Sequence, residues 1–226
     1  MKFCNQIRND PNHRYRSWEH CFGYFQRFRD KPKAFDLDTA ALHLGFYLAS
    51  WGMYRGSTFL LWKDYPIHAP AVSVLIDPAY RALWDTNAIP HNIEERVTLV
   101  VKLSTAITNA YKDNIRFVRG KQRQVSPTNT QITKTLLGTL ACAPACDRYF
   151  RDGFRVAGLK YSEDMDRFLR RVYKFIAENE TELRAVQQTV NKQSTTPYPT
   201  MKIVDMYFWQ IGADLPKNQK ALAKGE

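Results

Sequence analysis

Four cysteines in a chain of 226 residues are too few for a disulfide framework. Cys142 and Cys146 are too far apart for a CxxC pair, and no histidine lies close in sequence to either. They read as small buried thiols beside a turn, and the expectation is no metal and no cofactor. Long apolar runs are missing as well. None approaches the roughly 18–20 residues that a membrane-spanning helix needs. The opening residues, MKFCNQIRNDPNHRYRSW, lack the apolar stretch of a secretory signal, so a soluble, cytoplasmic protein is expected. Alternating strand patterns, internal repeats and low-complexity segments are also wanting, which leaves helices as the building material.

Acidic residues are in deficit. Asp and Glu number 22 against 33 Lys and Arg, giving a net charge of +11. A balance this basic suits a polyanion, because each neutralised phosphate releases counterions. Aromatic residues make up 13% of the chain and include five tryptophans, and basic surfaces interleaved with aromatics are what base-stacking proteins use. Double-stranded DNA is the expected partner.

Helical periodicity runs through most of the chain. A first helix is expected over Arg14–Phe28, with Trp18, Cys21, Phe22 and Phe25 at 3–4 spacing. Asp36 or Asp38 caps a second, Thr39–Tyr54, in which Gly45, Gly52 and Gly56 point to close packing or to a ligand. Short pieces follow at Leu60–Trp62, Ile67–Leu75 and Ala79–Trp84, then a long amphipathic helix, Asn92–Lys112. The segment Arg116–Pro127, with Arg116, Arg119, Lys121 and Arg123, reads as a basic loop, either a phosphate contact or a solvated turn. Thr130–Gly158 reads as helix, tight hairpin, helix, with Pro144 in the first turn of Ala145–Val156. Ser162–Ala177, Glu180–Asn191 and a helix from Thr200 complete an all-α, multi-helix globular domain over residues 1–215, followed by a disordered basic tail, 216–226.

The segment Tyr198–Gly212, YPTMKIVDMYFWQIG, sets one carboxylate in a helix that is apolar around nearly its whole circumference. Left unpaired there, Asp205 would cost several kcal/mol or shift its pKa to escape the charge. Lys202 and Trp209 share its face, three residues before and four after. Such a group is either half of a structural ion pair or an active-site acid or base.

The hairpin Leu137-Gly-Thr-Leu-Ala-Cys-Ala-Pro-Ala-Cys-Asp and the Val204-Asp205 pair resemble the helix-hairpin-helix DNA glycosylase superfamily. The two glycines of that family's hairpin are replaced here by Cys142 and Pro144. HLGFYLASWGMYRGSTFLL and YPTMKIVDMYFWQIG are also similar to a group of bacterial proteins associated with glycosylases acting on modified phage DNA. The resemblance implies that a monomer flips a modified base out of the duplex and removes it, with Asp205 promoting bond cleavage. It implies aromatic walls from Tyr47, Trp51, Tyr207 and Trp209, and polar contacts from His43, Arg55 and Lys202. Hairpin amides at Cys142, Ala143 and Ala145 would grip a phosphate, flanked by Lys134, Asp147 and Arg148, with Arg119, Lys121 and Arg123 adding charge. The catalytic lysine of the family's lyase members has Cys146 or Asp147 near its place, so a monofunctional enzyme is implied. Residue by residue, plainer roles compete: core aromatics for Tyr47 and Trp51, a buried imidazole for His43, a helix-start pair for Asp147-Arg148. Two other functions stay open: a DNA-binding module without catalysis, and a HEPN-like ribonuclease using the Arg14 and His20 spacing.

Overall fold

The computed structural model describes Gln6 and residues 9–29, 35–86 and 92–216; the expected tail, from 217 on, lies outside the described residues, as does Cys4. The architecture is all-α with one small hairpin. Five of the helices start at side-chain caps. After α1 (Arg16–Phe28), Asp36 accepts the amides of Asp38 and Thr39 to open α2 (Leu37–Ser50). Turns of 3-10 helix at Phe59–Trp62 and Tyr65–His68 lead into α3 (Ala69–Leu75). A third such turn, Pro78–Trp84, precedes α4 (Ile93–Asn114), which is capped by Asn92. Then come β1 (Phe117–Val118) and β2 (Lys121–Gln122), paired antiparallel. Thr128 caps α5 (Asn129–Thr139), Asp147 caps α6 (Arg148–Val156), and Asp164 caps α7 (Met165–Glu178). The chain closes with α8 (Glu180–Asn191) and α9 (Thr200–Asp214).

The α5 helix runs through the middle of the molecule. Every residue from Gln131 to Thr139 is buried, although the segment carries three threonines and a lysine. The threonines are accommodated by bonding back along the helix: Thr135 Oγ1 donates to the Gln131 carbonyl at 3.1 Å and Thr139 Oγ1 to that of Thr135 at 2.8 Å. Trp18 of α1 donates its indole N–H to the Leu137 carbonyl at 2.9 Å, tying α1 to α5. Glycine supplies the close approach of α2: a Cβ on Gly138 would fall 2.6 Å from Cδ1 of Tyr47.

The tightest crossing in the fold is α6 on α9. A Cβ on Gly153 would lie 2.8 Å from the Phe208 carbonyl carbon, and one on Gly212 the same distance from that of Tyr149. Backbone therefore meets backbone, and Phe150, Phe154, Phe168 and Phe208 pack edge to face around the crossing.

Three sequence expectations give way here. The basic loop contains a two-residue hairpin turn, too short to leave an alternating pattern. The second helix of the expected helix–hairpin–helix begins at Arg148, so Pro144 stands in the connection and not in a first turn. Gly52 and Gly56 lie beyond the end of α2, at φ 77° and 67°, where they turn the chain.

A buried polar chain crosses the other side of the core. His68 is fully enclosed, with Tyr54 Oη at 2.7 Å from Nε2 and Tyr111 Oη at 2.6 Å from Nδ1. Burial holds its pKa down from 6.5 to about 3. Between those values the unfolded chain binds a proton that the folded chain refuses, so stability is lost as pH falls through the window. Urea titrations across that window should show a loss on the order of 1.4 kcal/mol per pH unit from this residue. His68→Gln keeps a donor and an acceptor without titrating, and should flatten the difference. An identical pH slope in the variant would show that His68 is not the group responsible.

Candidate active site

Asp205 sits in the second turn of α9, 5% exposed, and its carboxylate is spoken for on both sides. Oδ2 meets Lys202 Nζ at 2.9 Å. Oδ1 accepts the backbone N–H of Ala145 at 3.0 Å, sixty residues away in the connection between α5 and α6. Burial pushes its pKa up, opposed by Lys202 and by the Ala145 amide.

A second pair, a buried lysine with a half-buried aspartate, lies beside it. Lys134 of α5 reaches Asp147 Oδ2 at 3.5 Å and donates to the Trp51 carbonyl at 2.9 Å. Burial lowers the Lys134 pKa, opposed by Asp147 and, more weakly, by Asp205. Asp147 also accepts the Phe150 amide at 3.1 Å as the cap of α6. Two carboxylates and two amines thus form one cluster, open to solvent only at Asp147.

Aromatic rings cover it. Lys202 Nζ lies 5.2 Å from the Trp18 ring centroid and 5.6 Å from that of Trp51. Tyr15 stacks on Trp51 at 4.9 Å, and Trp209 sets its edge against both, at 5.9 and 6.3 Å. Tyr149 flanks Trp209 at 5.3 Å. Trp51, Trp209 and Tyr149 are half-buried, while Arg14, Arg55 and Arg148 are exposed. Arg14 lies over the Tyr15 and Trp51 rings, and Arg148 over Tyr149. From outside inward the order is cations, aromatic rings, then paired buried charges.

Of the residues picked from sequence, Trp51, Lys134, Ala145, Asp147, Lys202, Asp205 and Trp209 come together. Arg55 stands nearby, its guanidinium folded back over Gly52 and close enough to depress the Lys134 pKa slightly. Tyr47 is buried, with its ring against Gly138, and so forms core and not an exposed wall. His43 belongs elsewhere: it stacks on Tyr24 at 4.5 Å and lines a separate cleft of about 490 Å³ with His20 and Arg27. Tyr207 points away from Asp205, since residues two apart do not share a helix face, and it stacks on Phe175.

The hairpin expectation needs the largest correction. Cys142 and Ala143 are fully buried, the Ala145 amide is taken by Asp205, and the Cys146 amide is taken by Thr133 Oγ1 at 3.0 Å. The Cys142 carbonyl accepts Tyr173 Oη at 2.8 Å. These amides face the protein, so they are not offered to a phosphate. Arg119, Lys121 and Arg123 are exposed on the β1–β2 hairpin. Arg14 donates to the Ser50 carbonyl at 3.1 Å, while His20 lines the His43 cleft.

Tyr15, Trp18 and Thr133 were not singled out for this site. Trp18 reads in the sequence as helix core, and nothing in local spacing links it or Tyr15 to a carboxylate near the other end of the chain. Among the described residues, no three His, Cys, Asp or Glu side chains gather as a metal site, and no helix is long and apolar enough to cross a membrane. No protein-family profile, curated protein or solved structure matches this chain.

Proposed function

We propose that the chain binds DNA and removes a base by hydrolysis of its N-glycosidic bond, with Asp205 as the catalytic carboxylate. The observation that supports this reading most is the bond between Asp205 and the Ala145 amide beneath a layer of aromatic rings. The two segments that carry the glycosylase resemblance meet there. In the reaction the C1′–N bond breaks, its electron pair leaves with the base, the oxygen of water bonds to C1′, and the proton that water loses ends on the departing base. A carboxylate beside C1′ stabilises the positive charge that develops on the sugar. A flipped base needs flat apolar walls, which Trp51 and Trp209 offer once their edge-to-face contact opens. Phosphate contacts fall to exposed cations, Arg148 and the Arg119–Arg123 hairpin, in place of the inward-facing amides.

The direct test is incubation with unmodified and hypermodified phage DNA, followed by alkali. Strand breaks should form only after alkali, on modified DNA, and should survive EDTA. DNA left intact on every substrate would sink the excision reading. A second reading, DNA binding without catalysis, is favoured by the fact that both Asp205 oxygens already have partners inside the protein.

A further inference from the structure

The stretch Trp51–Trp62 begins at the aromatic layer over Asp205 and ends at a second site. There the loop Gly56–Trp62 and the β1–β2 hairpin enclose a cleft of about 480 Å³. That volume lies within the usual range for small-molecule sites. Phe59 forms part of its lining and is anchored against Tyr111 at 5.9 Å. Arg119, Lys121 and Arg123 supply three cations, Ser57, Thr58 and Gln122 supply polar groups, and the lining contains no carboxylate.

Two features of this cleft lack a packing explanation. Trp62 is 51% exposed, although an indole gains most from burial. Its ring is covered by the Arg119 guanidinium, 4.2 Å from the centroid. Arg119 itself stands at φ 55°, followed by Gly120 at φ 70°, the two central residues of a tight hairpin turn. Asn or Gly is favoured at that first position, and another residue costs about 1 kcal/mol there. The hairpin is otherwise secured by the Arg123 N–H to Arg116 carbonyl bond at 2.9 Å and by the buried Val118. A strained position is thus occupied by the side chain that covers the tryptophan.

We infer that this cleft binds an unpaired nucleotide of a single-stranded nucleic acid. The base stacks on Trp62 in the place now held by the Arg119 guanidinium, since 4.2 Å leaves no room between them. The displaced guanidinium turns to the phosphate, alongside Lys121 and Arg123. A planar cation resting on an exposed indole is a stand-in that a base can replace, and Arg pairs well with phosphate oxygens. Three cations without a counter-carboxylate exceed what one mononucleotide needs and suit consecutive phosphates of a strand. The site is distinct from the Asp205 cluster, and the inference stands whether or not Asp205 excises a base.

Fluorescence anisotropy with a short labelled oligo(dT) tests it. Trp62→Ala should weaken binding on the order of tenfold or more, with the salt dependence unchanged, because stacking is lost and charge is not. Replacing Arg119, Lys121 and Arg123 together by Ala should flatten the slope of log affinity against log salt by about 2. Arg119→Asn should raise the melting temperature, through relief of the turn, while weakening binding. All these positions are exposed or on the hairpin surface, and the melting temperature of each variant reports whether it is folded. Oligo(dT) binding unaltered in folded Trp62→Ala would overturn the proposal. Equal competition by free dTMP or inorganic phosphate would overturn the strand as ligand, and so would a Trp62 effect confined to duplex DNA.

Discussion

Gly153→Ala and Gly212→Ala should each destabilise the protein by about 3 kcal/mol, read as a fall in the urea midpoint. Helix propensity alone argues the opposite sign, because alanine is favoured over glycine in a helix interior by about 1 kcal/mol. At these two positions the new methyl group would overlap a main-chain carbonyl of the facing helix, Phe208 for one and Tyr149 for the other. A flexible side chain could move aside, but a carbonyl in a helix cannot without shifting the whole element. Separating α6 from α9 would also loosen the Phe150, Phe154 and Phe208 ring contacts. Gly23 is the control: it lies inside α1, and a Cβ there meets only Thr196, at 3.9 Å. Gly23→Ala should therefore follow propensity and stabilise by about 0.5–1 kcal/mol. Stabilisation at all three glycines would show that the helices are not in backbone contact.

How much of this was legible follows from the range of each interaction. Local chemistry carried the helices well, because a cap or an amphipathic face is written within a few residues. Glu180–Asn191 matches its expected bounds, and Asp36, one of the two aspartates expected to cap the second helix, is the one that does. Asp205 stood out because one carboxylate in an aromatic helix is a local anomaly, and the Lys202 partner was readable from three-residue spacing. The Ala145 amide was not, since nothing near either residue encodes a bond across sixty positions. The Gly153–Gly212 crossing was hidden for the same reason. The hairpin resemblance misdirected the phosphate site because sequence gives the turn but not which way its amides face. His43 and Tyr207 were misplaced by reading a nearly all-apolar helix as one surface, when neighbouring positions on it reach different partners.

Asp205→Asn should cost about 3–5 kcal/mol, because it leaves the Lys202 ammonium enclosed without its counter-charge. Lys202 is 1% exposed, and the Trp18 and Trp51 rings that remain offset only part of that loss. The asparagine oxygen can still accept the Ala145 N–H, so the connection between α5 and α6 should keep its path. Loss of activity in this variant alone would be ambiguous, since an unfolded protein is also inactive. Adding Lys202→Met removes the stranded charge and fills the space with an apolar side chain of similar length. Exchange of a buried ion pair for neutral groups is often neutral or stabilising, so the double variant should regain most of the wild-type urea midpoint. If Asp205 is catalytic, the refolded double variant should still release base about a thousandfold more slowly, or not at all, while binding DNA as before. If the pair only clasps α9 to the connection, restored stability should bring restored activity. A stable, fully active double variant would reassign Asp205 to architecture and leave DNA binding as the function of the exposed cations.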